Sequence, residues 1–539
     1  MNRLLLFLET RTASFLCLLI AIGSRIINVL YVSYTGRDKM ILVMQSKSFL
    51  EGKGFVIPRY FVDQLNHPVY DKTPYWPPGY PLFLSPLLKL FNYNIYNATT
   101  AFDILVCIAL VLVARNLARQ TGLPAAAVNL ITLITGVFEY TFISESLPTD
   151  TVSLLFLLIA VSCCMRVVTK NPAPFRLLVF CGFLLFLPNF FRYAYPVASM
   201  GIPLLIILMG FLLNQKTLIR KGGIVLASVI FSLSVFFLYL KVSAGSTAYA
   251  LETTRGFFPG NLIHWQPVLP SSFINTAFLS SQLLTRFGIP VSGLLPVLES
   301  MNLLAAVLLI GWFYILVRKK YFISPGPFQW FLLMGAVLSL SVILTLGYLS
   351  LTYANQVSHQ QIWNYIYESR YFAFVTVFTQ FVFVALVFTP GLIKKHRLKR
   401  LLIFPAAVLF IELGHNLYFN TRVAFSFPSY KSSVYREQDY RYMFDLIRET
   451  ALKRPSVDIL TAGYNDDYFG YIGTYTGHTG IADPITLNDH LPAVKRKTVL
   501  YLMLYNADLD RFKSFFEKNQ VLLHKQLDES AFYQLEIDP

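Results

Sequence analysis

The chain has 539 residues, of which 55% are apolar, 16% aromatic and only 14% charged, whereas an average soluble protein carries roughly 25% charged residues. That composition excludes a soluble enzyme and a disordered protein. The formal net charge of +16 raises nucleic acid as a partner, a reading that depends on where along the chain the charge lies.

Apolar stretches of about 20 residues, enough to cross a hydrocarbon core of ~30 Å, recur at 13–34, 97–114, 123–142, 148–165, 177–191, 194–213, 223–242, 297–317, 328–351, 371–392 and 401–419. The two beside Arg192 read either as separate spans or as one broken helix. Residues 81–91 (PLFLSPLLKLF) are too short to span and suit an interfacial or re-entrant helix. The expected fold class is an α-helical polytopic membrane protein with about 11 transmembrane helices and a small C-terminal external α/β domain.

Lys and Arg in alternate loops set the orientation. With the N-terminus cytoplasmic, the inner segments hold 18 cations (Arg3 and Arg11 at the start, Lys394 to Arg400 at the end) against one acid, Glu9. The rest of the chain carries 27 cations and 28 acids, a net charge of −1. The basicity therefore reports topology, and no nucleic-acid partner is expected. An odd number of spans puts the C-terminus outside, with the loops at 35–96, 243–296 and 352–370. The first apolar segment is long and lacks a small-residue cleavage pattern, so it reads as a retained signal anchor. With no eukaryotic targeting signal, the expected location is the bacterial inner (plasma) membrane.

All five cysteines, Cys17, Cys107, Cys163, Cys164 and Cys181, fall inside expected spans, where they read as small packing residues. Two units follow: a transmembrane catalytic module over 1–420 and the external domain over 421–539. In the latter, 456–462, 498–504, 520–526 and 531–537 alternate like strands, and 436–451 and 507–518 read as helices. Asp466 and Asp467 in GYNDDYFG read as a solvated turn or a cation site. The domain has no P-loop, no GxGxxG and no nucleophile elbow, so nucleotide binding has no sequence support.

Charges near membrane depth are costly, which makes each a functional candidate. Asp38 lies just beyond the first span, either as general base toward an acceptor hydroxyl or simply paired with Arg37 or Lys39. In HPVYDKTPYWPPGYPL the prolines stiffen the backbone, and Tyr75, Trp76 and Tyr80 suit headgroup anchors. His67 and Lys72 reach a lipid phosphate from this loop, unless the segment is a purely structural turn. Glu145 and Asp150 share a short external loop that contains no cation, so neither has a local partner. Asp150 also suits a helix N-terminus without any further role. Arg192 with Tyr193, and Arg370 with Tyr371, lie at external helix boundaries, as phosphate-binding guanidiniums or as snorkelling anchors.

Four matches in order resemble the GT-C membrane glycosyltransferases, the superfamily of protein O-mannosyltransferases and aminoarabinose transferases. They are Asp38 in the first external loop, Pro77 to Leu82 (PPGYPL), Thr149 and Asp150 opening the fourth span, and Arg370 with Tyr371 opening a late one. The resemblance implies a GT-C fold and inverting transfer of a sugar from a polyprenyl-phosphate donor to a glycan, lipid or protein acceptor outside the membrane. Asp38 would be the catalytic base and Asp150 would orient the acceptor or hold a cation. Arg370 and Tyr371, with Lys72, Arg192 and His67, would serve the lipid phosphate, supported by Glu145 and Tyr80. Where aminoarabinose transferases have an acid and a lysine before the two prolines, this chain has Tyr75 and Trp76, and Lys39 rather than a second acid follows Asp38. No cofactor and no metal are expected. The competing classes are a polysaccharide polymerase or ligase, and a lipid-linked sugar transporter or flippase; the sequence shows no repeated halves of the kind transporters carry.

Overall fold

The computed structural model describes residues 7–31, 37–61, 64–72, 77–138, 148–244 without 171 and 194, 257–259, 325–352, 373–388, 431–463, 467–481, 493–526 and 530–539, with scattered positions in 307–322 and 407–422. The apolar runs become helices: α1 (Arg11–Tyr31), then, past the first loop, α4 (Ile95–Gln120), α5 (Ala125–Val137), α6 (Pro148–Thr169), α7 (Phe175–Phe191), α8 (Pro196–Leu212), α9 (Lys216–Ala244), α10 (Pro327–Leu351) and α11 (Ala373–Phe388). Among the described residues five of these are long and apolar enough to cross a membrane: α1, α4, α6, α9 and α10. The expected spans at 297–317 and 401–419 lie mostly outside the described residues.

The two segments beside Arg192 are separate helices. Arg192 ends α7 in an extended conformation, and Pro196 enters α8 at its first turn, where a missing N–H costs nothing. Gly210 and Gly222 let α8 and α9 touch backbone to side chain: a Cβ at Gly222 would lie 2.7 Å from Ile207 and one at Gly210 2.7 Å from Ile219.

The first loop is more structured than expected. It holds α2 (Arg37–Leu50), a hairpin of β1 (Ile57–Phe61) and β2 (Gln64–Asp71), and α3 (Gly79–Leu90). The last answers to the short apolar run at 81–91. It buries Tyr80, Leu84 and Leu88 on one side and exposes Phe83 and Leu90 on the other, as an interfacial helix does.

The C-terminal residues form α12 (Lys431–Lys453), β3 (Asp458–Gly463), α13 (Asp467–Thr476), β4 (Thr479–Ile481), β5 (Thr498–Tyr505), a 3-10 turn into α14 (Lys513–Lys518), β6 (Leu522–Gln526) and β7 (Ser530–Ile537). The sheet order is β4-β3-β5-β7-β6, with β3 parallel to β4 and β5, and β7 antiparallel to β5 and β6. Strand alternation divides β5 between two cores. Leu500, Leu502 and Leu504 face Phe512 and Phe515, while Val499, Tyr501 and Met503 belong to a cluster that includes Phe444, Ile472 and the helix bundle. Asp467 opens α13 rather than sitting in a solvated turn, and Asp466 lies outside the described residues.

The bundle's two ends are held by different contacts. At one end Arg115 donates to Ser14, joining the finish of α4 to the start of α1, and Lys221 Nζ donates to the Val167 and Lys170 carbonyls. At the other end lie α2, α3 and the sheet. Tyr475 Oη donates to the Tyr93 carbonyl at 2.7 Å, Phe444 meets Tyr96 edge-on, and Lys47 Nζ donates to the Tyr475 carbonyl at 2.5 Å. First loop and tail thus share one side, which requires an even number of crossings between them.

Candidate functional site

The site is built from the N-terminus of α2 outward. Met40 to Met44 are all buried, because α2 packs against α3 on one side and α13 on another. Lys39 Nζ donates to Asp103 Oδ2 at 2.6 Å, and both side chains are buried. Asp103, an acid inside the run that makes α4, is satisfied by this cation from a residue 64 positions earlier. Lys39 is therefore committed to Asp103. Asp38 occupies the second position of α2, one residue before this anchor; its side chain lies outside the described residues.

The PPGYPL segment is a wedge between helices. Pro77, Pro78, Gly79 and Tyr80 are buried, and a Cβ at Gly79 would fall 2.3 Å from the Phe190 carbonyl oxygen. Only glycine permits that approach. Tyr80 is not a headgroup anchor: it is fully buried, its ring edge-on to Phe102 at 5.0 Å. Tyr75 and Trp76 lie outside the described residues.

Two residues beyond Phe190, Arg192 ends α7 and forms an ion pair with Asp150, Nη1 to Oδ1 at 2.5 Å, with side chains 9% and 4% exposed. This corrects two expectations. Asp150 has a cation after all, supplied by the end of the following helix rather than by its own loop. Arg192 is not a snorkelling anchor, since its guanidinium is turned into the protein. Asp150 still sits in the first turn of α6, where the helix dipole favours its charge.

On the other side of Pro78 a pocket of about 230 Å³ opens, lined among others by Gln45 of α2, Lys53, Phe55, Lys72, and Tyr239 and Ser243 at the end of α9. Lys53 Nζ binds Glu51 at 2.8 Å and lies 4.8 Å from the centre of the Tyr70 ring. Hydrogen bonds to Glu51 and Tyr70 hold Lys53 above the usual lysine range, so it stays protonated. Lys72 is exposed at the pocket edge. Two ammonium groups beside apolar and aromatic walls make this pocket suited to an anion carrying a nonpolar or ring-bearing group.

The remaining candidates are placed as follows. His67 belongs to β2, with its side chain outside the described residues, and Glu145, Arg370 and Tyr371 lie outside them altogether. Among the described residues no three His, Cys, Asp or Glu side chains gather in a metal-binding group. Gln45, Lys53 and the Lys39–Asp103 pair were not singled out from sequence. A lone Asp in an apolar run was the one available signal for the last; Gln45 had none.

The tail supports this region from outside. Burial, with Lys53 nearby, pushes the Lys47 ammonium down, partly opposed by Glu51, and the Lys47 Nζ lies 5.1 Å from the Tyr475 ring centre. Burial and the Lys47 charge pull His478 down to about 4, so it is neutral here.

No family model and no curated protein matches the chain. Among solved structures it is similar to ArnT from Cupriavidus metallidurans in the apo state, at 13% identity and a TM-score of 0.43, covering 97% of this chain and 96% of that one. It is also similar to the apo oligosaccharyltransferase of Archaeoglobus fulgidus, at 12% identity and a TM-score of 0.42, covering 92% of this chain and 69% of that one. A third is the archaeal oligosaccharyltransferase AglB of Archaeoglobus fulgidus in complex with an inhibitory peptide and a dolichol-phosphate, at 12% identity, a TM-score of 0.43, and coverage of 93% and 69%.

Proposed function

We propose that this chain is an inverting membrane glycosyltransferase that takes a sugar from a polyprenyl-phosphate donor and passes it to an acceptor on the external side of an inner (plasma) membrane. The observation that carries the reading is the lysine-lined pocket at the end of α9, walled by Pro78 of the same PPGYPL segment whose next residue packs against Phe190 beside the Asp150–Arg192 pair. The PPGYPL segment, the Asp150–Arg192 pair and the lysine-lined pocket thus lie at one end of the bundle.

In this reading Lys72 and Lys53 hold the donor phosphate, which places the prenyl chain toward the lipid beside α9 and the sugar inward. Asp38 takes the proton of the acceptor hydroxyl as that oxygen bonds to the anomeric carbon. The bond from that carbon to the phosphate oxygen breaks, and its electron pair leaves with the polyprenyl phosphate. Fixed ammonium groups stabilise the charge that develops there. Arg370 and Tyr371 assist at the phosphate, with His67 near the same loop. Asp150, held by Arg192, orients the acceptor, and Glu145 and Tyr80 support that end of the site. Residues 1–420 form the catalytic module and 421–539 an external domain that braces it.

The test is transfer by purified protein from a panel of polyprenyl-phosphate sugars to membrane extract. Asp38→Asn is expected to lower the rate by about 10² or more. Full activity in that variant removes Asp38 as base, and no transfer by the wild type from any donor removes the reading as a whole.

A further inference from the structure

Helix α2 ends in a turn that fixes one wall of the pocket. The Gly52 N–H donates to the Phe49 carbonyl at 3.0 Å and the Lys53 N–H to the Ser48 carbonyl at 2.9 Å, with Gly52 in the left-handed region at φ 76°. This paired closure of a helix C-terminus favours a residue without a Cβ at that φ. Gly54 follows at φ 84°. The backbone that carries Lys53 to the pocket is therefore pinned, and its side chain is what is left to move.

That side chain already holds an anion. Lys53 Nζ pairs with Glu51 Oε2 at 2.8 Å, while the other carboxylate oxygen, Oε1, lies 3.9 Å from Lys47 Nζ. One carboxylate thus stands between two ammonium groups, of which Lys53 lines the pocket and Lys47 does not. The side chains of Glu51 and Lys53 are 34% and 42% exposed, so both can turn without disturbing the core. Lys47 is the more enclosed of the two lysines, and one of its three N–H donors goes to the Tyr475 carbonyl.

An anion entering the pocket changes this balance. A phosphate oxygen at hydrogen-bonding distance from Lys53 Nζ stands roughly 5 Å from the Glu51 carboxylate. Two like charges at that separation cost about fourfold in binding for each unit of charge, even in bulk water. Turning Glu51 from Lys53 toward Lys47 relieves that repulsion by closing a gap of 3.9 Å, and it brings a carboxylate to the cation that has less solvent around it.

We infer that Glu51 is a positioning residue that occupies Lys53 while the pocket is empty and passes to Lys47 when the phosphate of the polyprenyl donor takes its place. This deepens the proposed function and rests on it. The exchange makes the pocket selective, because an anion gains the Lys53 ammonium only by outcompeting a carboxylate for it.

The experiment measures binding of farnesyl phosphate and of inorganic phosphate to the full chain in nanodiscs of neutral lipid. The wild type is expected to bind farnesyl phosphate the more tightly of the two. Glu51→Gln, which keeps the shape and loses the charge, is expected to bind it about two- to fivefold more tightly still, and adding Lys53→Met abolishes that gain. Lys47→Met is expected to weaken binding by a similar factor in the wild type and to have no effect in the Glu51→Gln background. If farnesyl phosphate does not bind the wild type, or inorganic phosphate binds as tightly, the polyprenyl-phosphate reading falls and this inference with it. If farnesyl phosphate binds but Glu51→Gln leaves its affinity unchanged or weakened, or the gain survives Lys53→Met, only the Glu51 assignment falls. Should Glu51→Gln fail to fold, an unchanged affinity in Lys47→Met overturns the exchange by itself.

Discussion

Replacing Lys39 by Met leaves the Asp103 carboxylate, 2.6 Å from the lost ammonium and 8% exposed, in the middle of the helix packing. Breaking a buried pair from one side costs about 3–5 kcal/mol, which shifts the folded-to-unfolded ratio by roughly 10²- to 10⁴-fold. Asp103→Leu is expected to cost a similar amount by stranding Lys39. If the two residues acted independently the double variant would lose about 6–10 kcal/mol. As a pair replaced by apolar groups of matching volume, it is expected to lose less than either single variant. The assay is recovery of monodisperse protein after a graded heat challenge, run on all four members of the cycle. A Lys39→Met protein as heat-resistant as the wild type, or a double variant with simply summed losses, refutes the argument that this pair anchors α2. Under the proposed function the cycle also reads Asp38, one residue from the anchor: the double variant should fold and yet turn over more slowly.

Two further outcomes follow from the tail and the loops. His478 is held near 4 in the folded chain against about 6.5 when unfolded, so the unfolded state binds more protons between those values. Stability around β4 is full above about pH 6.5 and falls as pH drops toward 4, by up to about 3 kcal/mol; hydrogen exchange of Thr479 to Ile481 that stays flat across that window contradicts it. The charge partition predicts that a Lys513→Cys protein reacts with a membrane-impermeant maleimide in intact cells and an Arg220→Cys protein only after lysis. The native cysteines are buried and should stay silent. The reverse pattern overturns the orientation.

Legibility from sequence followed the strength of periodicity. Nine apolar runs overlie helices among the described residues, because a helix in lipid must be apolar over its whole length. Strands β3, β5, β6 and β7 run for five residues or more and so fall inside the segments read as strands, while β4, with three, leaves no pattern to see. Helix α2 escaped because it is enclosed on several faces: five consecutive apolar residues, Met40 to Met44, are buried, which erases the 3.6-residue rhythm. Of the candidate site, the residues of Asp150 and Arg192 were visible singly, but their pairing joins the ends of different helices, and a sequence carries no mark of which helix ends meet. Gln45 and Lys53 were invisible for a related reason, since a pocket wall is defined by neighbours distant in the chain.

The bond from Lys47 to the Tyr475 carbonyl joins residues 428 positions apart, and this sets a timetable for biogenesis. At ~5–20 residues per second of synthesis, α2 waits roughly 20–90 s between its own emergence and the arrival of the strand-flanked helix that covers it. During that interval the five apolar residues of α2, the Tyr93 carbonyl and the Tyr96 ring have only part of their eventual cover. A chain interrupted between α11 and α13 has all the apolar helices before that point but leaves that flank bare. Such a product is a natural target for surveillance proteases, because that flank stays uncovered until the last segment of the chain has docked.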